Sequence, residues 1–140
     1  MASGMYNKGK ERLLAEVEWG TSDLRWMLLD DTYTYSADDN FVSDVSAYEF
    51  DGANYSRKTI GTPTIEEDDA NDRAEAKSDN VTWTSLGAGT NPALGIVLYL
   101  YDASDAAAEL IYWGEFTGGA VNGNGGDFTV NQPTDGWFYI

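Results

Sequence analysis

The side chains that could do chemistry in this chain are carboxylates. Its 140 residues carry 24 Asp and Glu against 8 Lys and Arg, with no His and no Cys. That inventory excludes Ser-His-Asp and Cys-His nucleophile pairs, thiolate and disulfide chemistry, and the His/Cys donor sets that zinc, copper or haem require. What remains is carboxylate chemistry, lysine chemistry, or binding without catalysis.

Three patterns invite a closer reading. Asp68-Asp69-Ala70-Asn71-Asp72 gathers the hard oxygen donors that calcium prefers, but it lacks the Asp-x-Asp/Asn-x-Asp/Asn-Gly spacing and the closing Glu of a calcium loop. The run from Glu66 to Asp72 therefore reads as a solvated loop. Asn122-Gly-Asn-Gly-Gly-Asp127 is superficially a phosphate cradle, yet no Lys-Ser/Thr follows it and the next segment is strand-like, so it reads as a wide turn. Paired carboxylates beside aromatic rings could hydrolyse glycosides. With 24 acids in 140 residues, however, close pairs are inevitable and carry little information. Trp19, Trp26, Trp83, Trp113 and Trp137 all fall within strand-like runs, where a core or interface role is the ordinary one. The expectation is no catalytic residue, no metal and no cofactor.

The elements that must position these groups follow from length and pattern. A chain of this size makes one domain with a real core, and 42% hydrophobic residues with 5 Trp and 9 Tyr are those of a folded protein. A net charge of -16 repels phosphate backbones and anionic headgroups, so neither nucleic acid nor membrane is expected as a partner. No apolar run reaches the ~18 residues of a membrane span. Glu16 and Glu18 interrupt the segment behind the first basic residues, which therefore lacks a signal-peptide core; synthesis in a cytoplasm is the expectation. Lys8, Lys10 and Arg12 oppose only Glu11 in residues 1–12. This reads as a basic N-terminal arm, a docking candidate, ahead of a single β domain over 13–140.

Beyond the arm the apolar pattern has period two or runs continuously over short stretches. Strands are expected over Leu13–Trp19 and Asp23–Leu29, at Thr32–Tyr35, over Ala53–Gly61 and Thr62–Ile65 around Pro63, and at Val81–Thr84, while Arg73–Lys77 alternates small and charged residues. Ala93–Tyr101 is the most hydrophobic run and reads as a central strand buried on both faces. Glu109–Phe116 is its hairpin partner, and Asp127–Asn131 and Gly136–Ile140 close the chain. One short helix is expected at Phe41–Val45 behind the acidic Asp38-Asp39-Asn40. The fold class is all-β: an antiparallel β-sandwich or jelly-roll-like domain with one short helix and an extended N-terminal arm.

A family resemblance runs through the chain in matching order. It begins at Tyr6-Asn7-Lys8-Gly9-Lys10 and continues at Asp23-Leu24-Arg25-Trp26-Met27-Leu28-Leu29-Asp30 with Tyr33-Thr34, then at Phe41-Val42-Ser43-Asp44-Val45 and Asp79-Asn80-Val81-Thr82-Trp83. The closing matches are Tyr99-Leu100-Tyr101, Leu110-Ile111-Tyr112-Trp113 and Asn124-Gly125-Gly126-Asp127-Phe128-Thr129-Val130. In these segments the chain resembles a family of small virion structural proteins of tailed bacteriophages. The resemblance implies a non-enzymatic part, foremost a capsid decoration (cement) protein on the exterior of the virion. Its implied partner is the major capsid protein, and it would sit as a homo-oligomer around a capsid symmetry axis. A tail or adaptor component, or a carbohydrate-binding host-adhesion module, is the alternative. The expected capsid-interface residues are Tyr6, Lys8, Lys10 and Arg12 of the arm and the aromatic ending Trp137, Phe138 and Tyr139.

Overall fold

The computed structural model describes residues 3–15 and 19–140, with the side chains of 12–15 outside that description. In chain order the elements are β1 (Gly4–Met5), α1 (Asn7–Ala15), β2 (Leu24–Asp30), α2 (Val42–Val45), β3 (Lys58–Thr59) and β4 (Thr64–Asp68). They continue with β5 (Arg73–Lys77), β6 (Val81–Trp83), β7 (Ala93–Leu100), β8 (Glu109–Glu115), β9 (Phe128–Val130) and β10 (Phe138–Tyr139). The strands pair antiparallel in three sheets ordered β1-β8-β7-β2-β3, β10-β5-β4 and β6-β9. The fold is all-β and sandwich-like.

β7 is the centre, as its continuous apolar run predicts. Side chains alternate across a strand, so Ile96 and Leu98 enter one core while Val97 and Tyr99 enter another. β2 does the same, with Leu24, Trp26 and Leu28 on the first face and Met27 and Leu29 on the second. Each face then needs a cover. The two smaller sheets supply the first through Ala76, Phe138, Val81 and Trp83. Tyr6, Tyr33, Val42, Val45 and Ala108 supply the second. Fully burying one Val, Leu or Ile contributes roughly 1.5–3 kcal/mol, so leaving either face bare would remove most of the margin by which a domain is stable.

The segment expected as an extended basic arm is folded onto the sheet. β1 pairs with β8, Gly4 opposite Trp113 and Met5 opposite Tyr112. Residues 13–15 are helical where a strand is expected, and 16–18 lie outside the described residues. The reason lies in β8. Leu98 faces Tyr112 while Tyr99 faces Leu110, leaving Ile111 without an opposite residue, a bulge that bends the strand. The bulge carbonyl accepts the Tyr6 N–H at 3.3 Å, and α1 packs on the bulge through Gly9, where a Cβ would lie 2.5 Å from the Ile111 carbonyl oxygen. Only glycine permits that approach.

Other expectations are corrected locally. Thr32–Tyr35 forms no strand; Asp31 N–H bonds to Pro92 O, and buried Tyr33 spends its hydroxyl on side chains. Within 53–65 only Lys58–Thr59 and the start of β4 are extended. The acidic run Glu66–Asp72 is not a free loop: Glu66–Asp68 belongs to β4, and 69–72 is the turn into β5. Cross-strand cations make this possible, with Lys77 Nζ 3.0 Å from Glu66 and Arg73 Nε 3.3 Å from Asp68. The expected helix is α2. Its first N–H groups are met by backbone carbonyls, Val42 N–H donating to Ala108 O at 2.9 Å and Ser43 N–H to Asp105 O at 3.0 Å, while Asp44 Oδ2, rather than Asp38 or Asp39, accepts from Asn40 and Phe41 N–H just ahead of the helix at 2.9 and 3.0 Å.

Replacing Gly9 by Ala sets two effects against each other. Helix propensity favours Ala by up to ~1 kcal/mol, whereas the clash with the β8 backbone costs about 1–3 kcal/mol. The clash is expected to win, lowering the urea midpoint of the Gly9→Ala protein. A variant as stable as the parent would mean that α1 does not sit on β8.

Candidate functional site

The residues expected at an interface do not form one patch. Tyr6 is fully buried; its hydroxyl lies 3.0 Å from that of Tyr33, which donates to Asp39 Oδ2 at 2.9 Å. Burial, more than the neighbouring tyrosine and Asp39, pushes the Tyr6 phenol far above its usual range. Lys8 Nζ is 3.1 Å from Glu11 on the helix surface, an exposed pair worth little. Lys10 is exposed and has no ion-pair partner among the described residues. Arg12 lies in α1, its side chain outside the described residues.

The aromatic ending divides likewise. Trp137 is buried, with Nε1–H donating to Ser78 Oγ at 2.7 Å and its ring 4.7 Å from Trp26. Phe138 is buried between Trp19 and Tyr112. Tyr139 alone is exposed, at 55%, with the Arg73 guanidinium 4.2 Å above its ring. Strand alternation separates Phe138 from Tyr139 within β10, while Trp137, just ahead of the strand, is also held inward, its backbone N–H donating to Ala76 O at 2.8 Å. Ile140, exposed at 72%, was not among the expected residues.

Two arrangements that sequence reasoning missed come from segments far apart in the chain. The first is an ion cluster. Arg57 donates from Nε and Nη2 to the two carboxylate oxygens of Glu49 at 2.9 and 2.8 Å, and from Nη1 and Nη2 to those of Asp105 at 2.8 and 3.1 Å. Glu49 Oε2 also accepts the Tyr55 hydroxyl at 2.6 Å, whose oxygen in turn accepts Leu28 N–H of β2 at 3.1 Å. The carboxylates are thus consumed in clamping one guanidinium, an arrangement suited to tying loops to the sheet.

The second is a groove of about 600 Å³ between the end of β8, the loop 117–127 and β9. Its floor includes Tyr112 and Trp137 and its walls Phe116 and Phe128, whose ring centroids are 5.9 Å apart. The wide turn expected at 122–127 is pinned rather than free. Gly125 N–H donates to Leu86 O at 2.7 Å and Leu86 N–H to Gly126 O at 3.0 Å. Asn122 Oδ1 accepts Gly89 N–H at 2.8 Å. Gly123 lies so close to Gly87 that a Cβ would be 2.1 Å from its carbonyl oxygen. Among the described residues no group of three or more carboxylates is placed to hold a metal ion, and no helix is long and apolar enough to cross a membrane. No protein-family model, curated protein or solved structure matches the chain.

The Arg57 cluster has a pH signature. Hydrogen bonding to Arg57 holds the Asp105 carboxyl below the usual carboxylate range. A depressed folded-state pKa means stability that is present above the unfolded value, ~3.9 for Asp, and lost as pH falls through the folded value. Arg57→Met leaves Glu49 and Asp105 facing each other. It is expected to cost about 1–3 kcal/mol at pH 7, with the gap to the parent narrowing below about pH 4. Denaturant titrations at the two pH values check this; a gap that persists in acid would contradict it.

Proposed function

We propose that this protein is a structural component of a tailed-bacteriophage virion, a decoration (cement) protein on the outer face of the major capsid shell. The observation that carries the reading is where the resembling segments fall. Tyr6 and Gly9 seat the N-terminal segment on β8, Asp23–Asp30 contains β2, Phe41–Val45 contains α2, and the remaining segments contain β6, β9, the end of β7 and the heart of β8. The likeness therefore follows β2, β7 and β8 of the central sheet, α2 and the β6–β9 pair, with β3, β4, β5 and β10 outside it, and it supports a building-block role.

Attachment through a loose arm does not fit a segment folded into the sheet, so the docking surface is sought elsewhere. The exposed large apolar side chains among the described residues are Ile65, Tyr101, Val121, Tyr139 and Ile140. Three of them belong to β4, to β10 and to the residue after it. Ile65 stands opposite Ala76, which stands opposite Phe138, and Ile140 exchanges both backbone hydrogen bonds with Ala74. By strand alternation Ile65 and Ile140 share a face, at its two open margins. Exposed apolar margins of this kind, flanking the part of the face that Ala76 and Phe138 turn to the core, suit a protein surface such as the capsid subunit, while the acidic remainder of the body keeps copies soluble and suits the outside of a DNA-filled shell. An oligomer around a symmetry axis is the assembly such a part commonly adopts.

Exposed substitutions change stability little, so an Ile65→Asp, Ile140→Asp protein is expected to keep its melting temperature and lose shell occupancy at least tenfold. Quantitative electron microscopy of particles decorated in vitro reads this out. Undiminished occupancy would remove the surface assigned here, and a particle copy number matching a tail or portal ring rather than the shell would overturn the decoration reading.

A further inference from the structure

The geometry points to a second activity, independent of shell attachment: the groove beside β9 binds a neutral saccharide. It shares no lining residue with the Ile65–Ile140 surface. Its volume, about 600 Å³, lies within the ~300–1,000 Å³ of small-molecule clefts.

Three observations select the ligand class. The first is the rings: half-buried Phe116 and Phe128 stand over a floor containing Tyr112 and Trp137, apolar surfaces on which the C–H face of a sugar ring can lie. The second is unspent polar capacity on the same lining. Asn124 Oδ1 accepts Gly126 N–H at 2.9 Å, leaving its Nδ2 to donate. Asp127 Oδ1 accepts Ser85 N–H at 3.0 Å, leaving Oδ2 to accept. The side chains of Thr117 and Asn131 have no hydrogen-bond partner among the described residues, and each can both donate and accept. Vicinal hydroxyls, which also do both, match that set better than a purely apolar or purely accepting ligand.

The third observation is charge. The lining holds the carboxylates Glu115 and Asp127 and no Lys or Arg, on a body of net charge -16. Phosphorylated, sulfated or sialylated ligands are therefore rejected. A second copy of the chain is disfavoured by the same charge and by scale. A stable protein interface covers roughly 800 Å² per partner, whereas Val121 is the one exposed large apolar side chain on the groove. The pinned loop keeps the cost of ordering low, since its backbone is held by Leu86 and its Asn122 side chain by Gly89 before any ligand arrives.

The test is a ¹⁵N-resolved NMR titration of the full chain with neutral gluco-, manno-, galacto- and N-acetylglucosamine oligosaccharides, with sialylated and sulfated oligosaccharides as the anionic arm. The expected result is saturable shifts at Phe116, Asn124, Phe128 and Asn131 with at least one neutral series, and binding at least tenfold weaker in the anionic arm. Asn131→Ala, which breaks no hydrogen bond among the described residues, is expected to weaken binding at least fivefold with an otherwise unchanged spectrum; Thr117→Val is the second variant. No saturable shift with any neutral oligosaccharide, shifts located away from the groove, equal binding of the anionic arm, or parent-like affinity in both variants would each overturn the proposal.

Discussion

The structure depends on one constraint: β7 is apolar on both faces. A strand of this kind cannot sit at the surface of a two-layer sandwich with one side wet. The first face is met by the small sheets that carry Phe138, Trp83 and Ala76. The second falls to parts with little regular structure of their own, namely Tyr6, Tyr33 and the short helix bearing Val42 and Val45. None of these would hold a conformation alone, since short helices are marginal in water. They are ordered because β7 and its neighbours offer them somewhere to bury apolar surface. The β8 bulge at Ile111 then sets where the N-terminal helix lands.

The charge pattern follows the same logic of local satisfaction. Arg25, Arg57, Arg73, Lys77 and Lys8 each stand within 3.4 Å of a carboxylate. Where cations gather, as Arg73 and Lys77 do on β5, they tame the acidic β4 and convert a run of Glu and Asp into a strand whose charged outer edge discourages stray pairing. The excess carboxylates are left on the surface, where they repel one another weakly and exclude anionic partners.

Much of the framework was legible in the residues. β2, β7, β8 and α2 stand where hydrophobic period and an acidic helix start place them, and all five tryptophans are buried. The failures have specific causes. Leu13 and Ala15 open a run that alternates like a strand, but Gly9 fits a helix, described through residue 15, to a bulge that no local pattern announces. Thr32–Tyr35 alternates because Tyr33 reaches Tyr6 and Asp39, a tertiary demand that mimics strand periodicity. The acidic hairpin was hidden because its stabilising cations lie on the opposite strand. Trp137, Phe138 and Tyr139 read as one aromatic anchor, whereas alternation within β10 turns Phe138 inward and Tyr139 outward, and Trp137, ahead of the strand, is buried against Trp26. The groove was invisible for a simpler reason: its rings and its free polar groups come from segments that only folding brings together.

These features set the terms for the proposed virion role. A part added to a shell needs a rigid body, a small apolar contact surface and a solvated exterior, and a groove walled by a pinned loop stays available on such a particle. All of it rests on the N-terminal segment being part of the folded core rather than a tether. Native-state hydrogen exchange tests that directly at the amides of Tyr6 and Lys10, which donate to Ile111 O and Tyr6 O. Protection approaching that of β7 is the result expected from a segment that covers the second face. Exchange at unfolded-chain rates in a protein whose β7 amides stay protected would contradict it.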